Sequence, residues 1–261
     1  MDANSQLDKN RVFAILAEEI VTQQLGPGEA LPERRLVQRF GLSRTPIREI
    51  LRRLHNEYLV EVYPNRGAYV RSLTPANARD LFQMRETLEP FAARLAAEFR
   101  PDDEVAALLA RFSDEGVISK MGPQQLAELG EALHDAIAVW SSNALYANMY
   151  GILRRQTQRL RAMTRTRIEI ETASLGEHRA IVRAIAEGKS EQAYLAMEQH
   201  LRRSHTAVLA GLQAHRQAGD APGTLDSINQ PPPDGRVSAA HNRHSVDRES
   251  RADASHRERS R

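Results

Sequence analysis

The chain contains no cysteine. That removes disulfides, thiol nucleophiles and thiolate-ligated zinc together. Lysine is almost absent as well. Only Lys9, Lys120 and Lys189 occur, so nearly all of the 36 basic residues are arginine, whose fork of donors suits phosphate and guanine. No stretch approaches the ~18 uninterrupted apolar residues of a membrane span. The opening MDANSQLDKN lacks the apolar core of a signal peptide, so a cytoplasmic location with no membrane partner is expected. A net charge of +2 gives no broad electropositive field, so any attraction to nucleic acid must come from local placement.

What is present is sufficient for a packed core. Hydrophobic residues are 41% of 261, above the disordered range and enough for one large or two modest domains. Aromatics are only 5%, and long stretches of Ala, Leu, Arg, Glu and Gln favour helix. Val12, Ile15, Leu16 and Ile20 form a helical stripe that breaks at Gly26-Pro27-Gly28. A short helix follows over about 33–40, stopped by Gly41. Ser43 then takes an N-cap position, and Pro46 is tolerated in the first turn of a helix whose apolar face is Ile47, Ile50, Leu51 and Leu54. The period changes next. The runs 59–63 and 67–70 alternate as short strands around the turn residues Pro64-Asn65-Arg66-Gly67. Three short helices and a hairpin outline a winged helix-turn-helix over 1–72.

From Thr74-Pro75, a helix-start signature, no strand pattern recurs. Helices are expected at 75–99, 102–116, 123–141, 143–170, 174–187 and 190–214, forming an all-helical unit over 75–214. The remaining 218–261, with Pro231-Pro232-Pro233 and few large apolar residues, reads as a disordered tail. The fold class is therefore mainly α.

Recognition helices present their first turn to base edges. Here that turn is Ser43-Arg44-Thr45-Pro46-Ile47-Arg48. Arg44 and Arg48 share a face at (i, i+4) spacing and can reach guanine edges or phosphates, while Ser43 and Thr45 offer hydroxyls to phosphate. Arg34 flanks them on the preceding helix, and Arg66-Gly67 at the hairpin tip can enter a minor groove. Singly, each is an ordinary solvated side chain. Together, on this frame, they point to DNA.

The run PGEALPERRLVQRFGLSRTPIREILRRLHNEYLVEVYPNRGAYV resembles the winged helix-turn-helix of GntR-family bacterial transcriptional regulators, over about residues 10–72. The resemblance implies operator contacts by Arg34, Arg44, Thr45 and Arg48, and minor-groove contact by Arg66 and Gly67. One departure is Tyr58, where the family usually has glycine before the first wing strand; it should alter the local turn and leave function intact.

In the helical unit His134, His178 and His200 lie on three different amphipathic segments, beside Leu133, Ile181 and Leu201. Facing inward, they either converge as a first-row transition-metal site with open positions or stand apart as hydrogen-bonded core histidines. Residues 75–210, through MRETLEPFAARLAA, ALHDAIAVWSSN, LGEHRAIVRAIAEGKSEQA and AMEQHL, resemble the FCD effector domain of the FadR subfamily. The resemblance implies a divalent metal (Zn, Ni or Mn) on His134, His178 and His200, and a small organic acid as effector bound there and by Arg85. It also implies an aspartate ligand one turn before the first histidine. That position is Gly130. Glu131, water or the effector's carboxylate are the available substitutes. Arg85 either clamps the acid or pairs with Glu89 at (i, i+4). Asn143 reads as a helix cap. The run Arg154, Arg155, Arg159, Arg161, Arg165 and Arg167 reads as a solvated or inter-subunit face.

The sequence reading is thus a non-enzymatic, homodimeric regulator of double-stranded operator DNA, most simply a repressor, whose affinity responds to a small organic acid. Two alternatives stay open. One is a constitutive DNA-binding dimer with a decayed effector site, favoured by Gly130. The other is a metal-dependent hydrolase or lyase using Glu131 or Asp135 as base, which the attached DNA-reading unit disfavours.

Overall fold

The computed structural model describes residues 8–164 and 168–219. Its N-terminal part holds α1 (Lys9–Val21), α2 (Glu33–Phe40), α3 (Arg44–Asn56) and the antiparallel pair β1 (Val60–Tyr63) and β2 (Gly67–Val70). The register pairs Val60 with Val70 and Tyr63 with Gly67. The turn between them is closed by the Arg66 amide donating to the Tyr63 carbonyl, with Asn65 at φ 60° behind Pro64. This is the backbone that a Pro-Asn pair favours in a type II turn. Leu16 and Ile20 of α1, Leu36 of α2, Ile47 and Leu54 of α3, and Leu59 are buried in one core with the hairpin's Val60, Ala68 and Val70. Each Leu, Ile or Val side chain contributes ~1.5–3 kcal/mol of burial.

The C-terminal part holds α4 (Pro75–Phe99), α5 (Asp102–Ser113), α6 (Glu115–Ile118), α7 (Pro123–Trp140), α8 (Ala144–Thr164), α9 (Ile168–Ala186) and α10 (Ser190–Gly219). Thr74 opens α4 with a reciprocal capping box to Asn77, which locks the Thr-Pro start seen in the sequence. The small face Ala92, Ala93, Ala96 and Ala97 of α4 is buried in one core with Leu133, Ile181, Met197 and Leu201. Small side chains allow this close approach of helix axes. Gly188, at φ 66°, ends α9 with the paired carbonyl contacts of a Schellman cap.

One expected helix divides. The 102–116 segment breaks at Asp114, whose carboxylate caps α6 through the Val117 amide at 3.1 Å. A smooth apolar period cannot signal such a break. Of the expected 143–170 helix, the described residues hold α8 through Thr164, and α9 is described from Ile168, ahead of the expected 174. Asn143 does cap α8, accepting from the Tyr146 amide at 3.0 Å. Most of the expected tail, like Arg165 and Arg167, lies outside the described residues. Among the described residues no helix is long and apolar enough to cross a membrane.

Candidate DNA interface and histidine centre

The start of α3 puts Ser43, Arg44, Thr45 and Arg48 on the exposed face while Ile47 and Ile50 turn inward. Ser43 occupies the N-cap position, but its hydroxyl makes no capping bond, so the oxygen is available to a phosphate. Arg34 on α2 and Arg66 with Gly67 at the wing tip are exposed too. The side chains of Arg34, Arg44 and Arg66 have no hydrogen bond or ion pair among the described residues. Arg48 is different: its Nε donates to both oxygens of Glu33 at 2.9 and 3.0 Å. A DNA group must compete with that pair.

In the helical part, α7, α9 and α10 bring His134, His178 and His200 together, each 2–3% exposed. One ring nitrogen from each falls within 4.8 Å of the others. The alternative of separate core histidines is therefore not what the chain adopts. Two of the rings are held from behind by carboxylates. His134 Nδ1 lies 2.6 Å from Glu89 Oε2, and His200 Nδ1 lies 2.8 Å from Glu177 Oε2. A carboxylate only accepts, so both Nδ1 atoms carry a proton, and a neutral ring in that tautomer has its lone pair on Nε2. His134 Nε2 is buried with no partner. His178 Nε2 and His200 Nε2 are 3.2 Å apart. Burial, reinforced by the neighbouring imidazoles and arginines, holds the pKa values of His178 and His200 well below the usual histidine value. Neutral imidazoles are the protonation state a metal needs. An orphaned nitrogen in such a cluster fits a divalent cation.

Arg85 does not reach out of this layer. Its Nε donates to Glu89 Oε1 at 2.6 Å, with both side chains buried. Burial opposes the charge of Glu89, but Arg85 and His134 outweigh it and keep the carboxyl ionised far below its usual range. Glu131 is also engaged. It accepts from Gln158 Nε2 at 2.7 Å and Arg161 at 3.0 Å, and it is not among the converging ligand atoms. Asp135 accepts from Tyr150 and pairs with Arg154 at 2.8 Å. Beside His134 these side chains leave a cavity of only about 10 Å³, walled by Arg85, Glu131, Arg154, Gln158 and Arg161, room for one water.

The arginine run on α8 is not a simple solvated face. Arg154 and Arg161 serve this wall. One step round the helix, Gln156 Nε2 donates to the Glu57 carbonyl at 2.9 Å, and Arg159 donates to the carbonyls of Tyr58 and Arg71. Arg155 pairs with Glu57. Arg159 is 2% exposed; burial and nearby Arg71 draw its pKa down to about 10, which still leaves it cationic at neutral pH. Glu89, Glu177 and Arg159 were not singled out as site residues by the sequence. Only the (i, i+4) spacing of Arg85 and Glu89 hinted at one of them.

A winged helix-turn-helix head joined to a helical unit with a buried polar centre is the build of a transcriptional regulator, and comparison with known proteins agrees. The model for bacterial regulatory proteins of the gntR family matches residues 8–70, and that for the FCD domain matches 80–203. The chain is 30% identical over 203 residues to an HTH-type transcriptional regulator in an unstable DNA locus of Streptomyces ambofaciens, covering 76% of this chain and 84% of that one. It is 26% identical over 192 residues to the HTH-type transcriptional repressor RspR of Escherichia coli K12, covering 73% and 84%. Its fold is similar to E. coli McbR/YncC (TM-score 0.62, 20% identity, 78% and 98% covered) and to a GntR regulator from Rhodococcus sp. RHA1 (0.61, 21%, 77% and 97%). The chain belongs to the GntR family of bacterial transcriptional regulators and carries an FCD domain.

Proposed function

We propose that this regulator binds a divalent transition metal on His134, His178 and His200 and that a small organic acid bound there changes its affinity for operator DNA. The observation that carries the reading is the convergence of three buried imidazoles, one with an unpartnered Nε2, beneath a helix that also holds the DNA head. A bound dication supplies a Lewis-acidic anchor for a chelating carboxylate. The protein's own part is to orient the rings and to exclude water.

The link to DNA runs through α8. The cavity is too small for an organic acid, so entry requires Arg154, Gln158 or Arg161 to move. Gln156 and Arg159 on the same helix grip the head. An acid that binds the opened state better shifts the head's placement by that difference in affinity. In the head, Arg34, Ser43, Arg44, Thr45 and Arg48 take the major groove and its phosphates, and Arg66 with Gly67 the minor groove. A homodimer sets two such heads about one helical turn apart. The half-exposed Met84 and Met149 on α4 and α8, at an apolar groove of about 520 Å³, are candidates for that contact.

The test selects an operator from random duplex DNA with the full protein, then measures affinity with and without Zn²⁺ and a panel of hydroxy and keto acids. A metal-dependent change with one acid supports the reading. Substituting Arg44 by Ala should cost ~1–3 kcal/mol of operator binding. Affinity indifferent to metal and to every acid would favour a constitutive DNA-binding dimer, the reading to which the closed cavity gives some support.

A further inference from the structure

Restoring a carboxylate at residue 130 is the obvious way to complete the centre, yet the backbone there is closed to any side chain. Gly130 lies in α7 directly under the ring of His178. A Cβ at that position would stand 2.6 Å from Cε1 and 3.0 Å from Nδ1 of His178. Real Cβ atoms do not approach that closely, so the ring would have to move. It has little room: it is 2% exposed and edge-on to Phe112 and His134, with His200 on its other side. The missing side chain is therefore the space that the imidazole fills.

The negative charge absent at 130 is found one layer out. Glu89, on α4, is 1% exposed, is held by Arg85 and binds His134 Nδ1. Glu177 does the same for His200. Carboxylates behind metal-binding imidazoles fix the tautomer and raise the donor strength of the inward nitrogen. We infer that this chain builds an all-nitrogen metal centre, in which His134, His178 and His200 are the only protein ligands, Glu89 and Glu177 act as outer positioning carboxylates, and Gly130 is required so that His178 can seat. The inference rests on the metal reading above and deepens it. Three neutral ligands leave a dication's positions open to an anionic, chelating acid. Arg85 stays neutralised by Glu89 and is not the acid's clamp.

The experiment is a metal titration of the full chain, stripped with a chelator, using Zn²⁺ against a competing chromophoric ligand, with Co²⁺ absorption as a second readout. His178→Ala serves as the blank for metal taken up elsewhere on the chain. Wild type should bind one equivalent above that blank. Gly130→Ala and Gly130→Asp should both weaken Zn²⁺ at least tenfold, although Asp adds a ligand. Glu89→Gln should weaken it by about 10–100-fold and shift the Co²⁺ bands, with Glu89→Asp recovering part of the loss. Because Glu89→Gln strands Arg85, the same measurement is made on Arg85→Met/Glu89→Gln, which removes both charges. Thermal melts identify any variant that does not fold. Tighter binding by Gly130→Asp than by wild type would overturn the all-nitrogen centre while leaving the metal reading intact. No binding by wild type above the blank would overturn both.

Discussion

Arg159 of α8, almost fully buried, donates to the main-chain carbonyls of Tyr58 and Arg71 at the two ends of the winged hairpin. These acceptors are backbone atoms, so the grip does not depend on which side chains the head carries. Gln156 repeats it at the Glu57 carbonyl, one turn earlier. A single helix thus touches the histidine cavity on one side and the DNA head on the other.

Replacing Arg159 by Ala should uncouple the two. It removes the donor from two part-buried carbonyls, at ~0.5–1.5 kcal/mol each, and frees the head from α8. Zn²⁺ affinity should stay within about twofold of wild type, since Arg159 does not touch the histidines, while the acid-induced change in operator affinity should be lost. Titration calorimetry reads the first and fluorescence anisotropy the second. An Arg159→Ala protein that still responds fully to acid would remove α8 from the pathway.

Arg85 and Glu89 make the sharper stability experiment. Each is buried and neutralises the other. Glu89→Met should cost ~3–5 kcal/mol, because it abandons a guanidinium in the core, and Arg85→Met a similar amount for the opposite charge. The double Met variant should be far closer to wild type, since two well-packed apolar side chains replace the pair. Urea unfolding of the four proteins gives the coupling energy. Additive losses would mean that the two charges do not depend on one another.

The parts of the molecule legible in its sequence are those set by local rules. Ser43 through Arg48 carry an N-cap residue and a first-turn proline ahead of a clean period. Pro64-Asn65 dictates its own turn. The histidines could be placed on three separate helices, and resemblance grouped them. What was not legible depends on distant chain. Arg159 looks like any arginine on a solvated face until a head about a hundred residues earlier covers it. Arg85 and Glu89 have the spacing of an ordinary surface pair, and only the packing of α4 with α7, α9 and α10 makes them interior. Glu177 is simply the residue before a histidine, and nothing local marks it as the partner of His200.

The buried imidazoles also set a pH dependence. In the folded, metal-free protein the pKa values of His178 and His200 lie well below the ordinary 6.5. The unfolded chain therefore binds more protons than the folded one between about 6.5 and those lowered values. Stability is fully present above that window and is lost as pH falls through it, by up to about 1.4 kcal/mol per pH unit for each ring. Melts of the chelator-treated protein from pH 8 to 5 should show the loss, and His178→Gln should lessen it. A metal-free protein with a flat profile between pH 7 and 5 would mean that the rings are not held neutral.

Tyr58 offers a last test, in the head itself. It sits at φ 59° one residue past the cap of α3, where its amide donates to the His55 carbonyl and the Leu59 amide to that of Leu54. That is the pattern of a Schellman cap, whose left-handed position favours glycine. The tyrosine's compensation is a cation–π contact with Arg71 at 5.1 Å, from an exposed ring. Substitution by Ala removes the contact and keeps the strain; substitution by Gly removes both. Tyr58→Gly should therefore be more stable than Tyr58→Ala by about 1 kcal/mol, and within about 1 kcal/mol of wild type because the lost contact is worth ~0.5–1. Operator affinity should be retained in the Gly variant, since residue 58 lies behind the wing and not at its tip. Equal stabilities for Ala and Gly would show that the backbone here relaxes out of the left-handed region once the aromatic ring is gone.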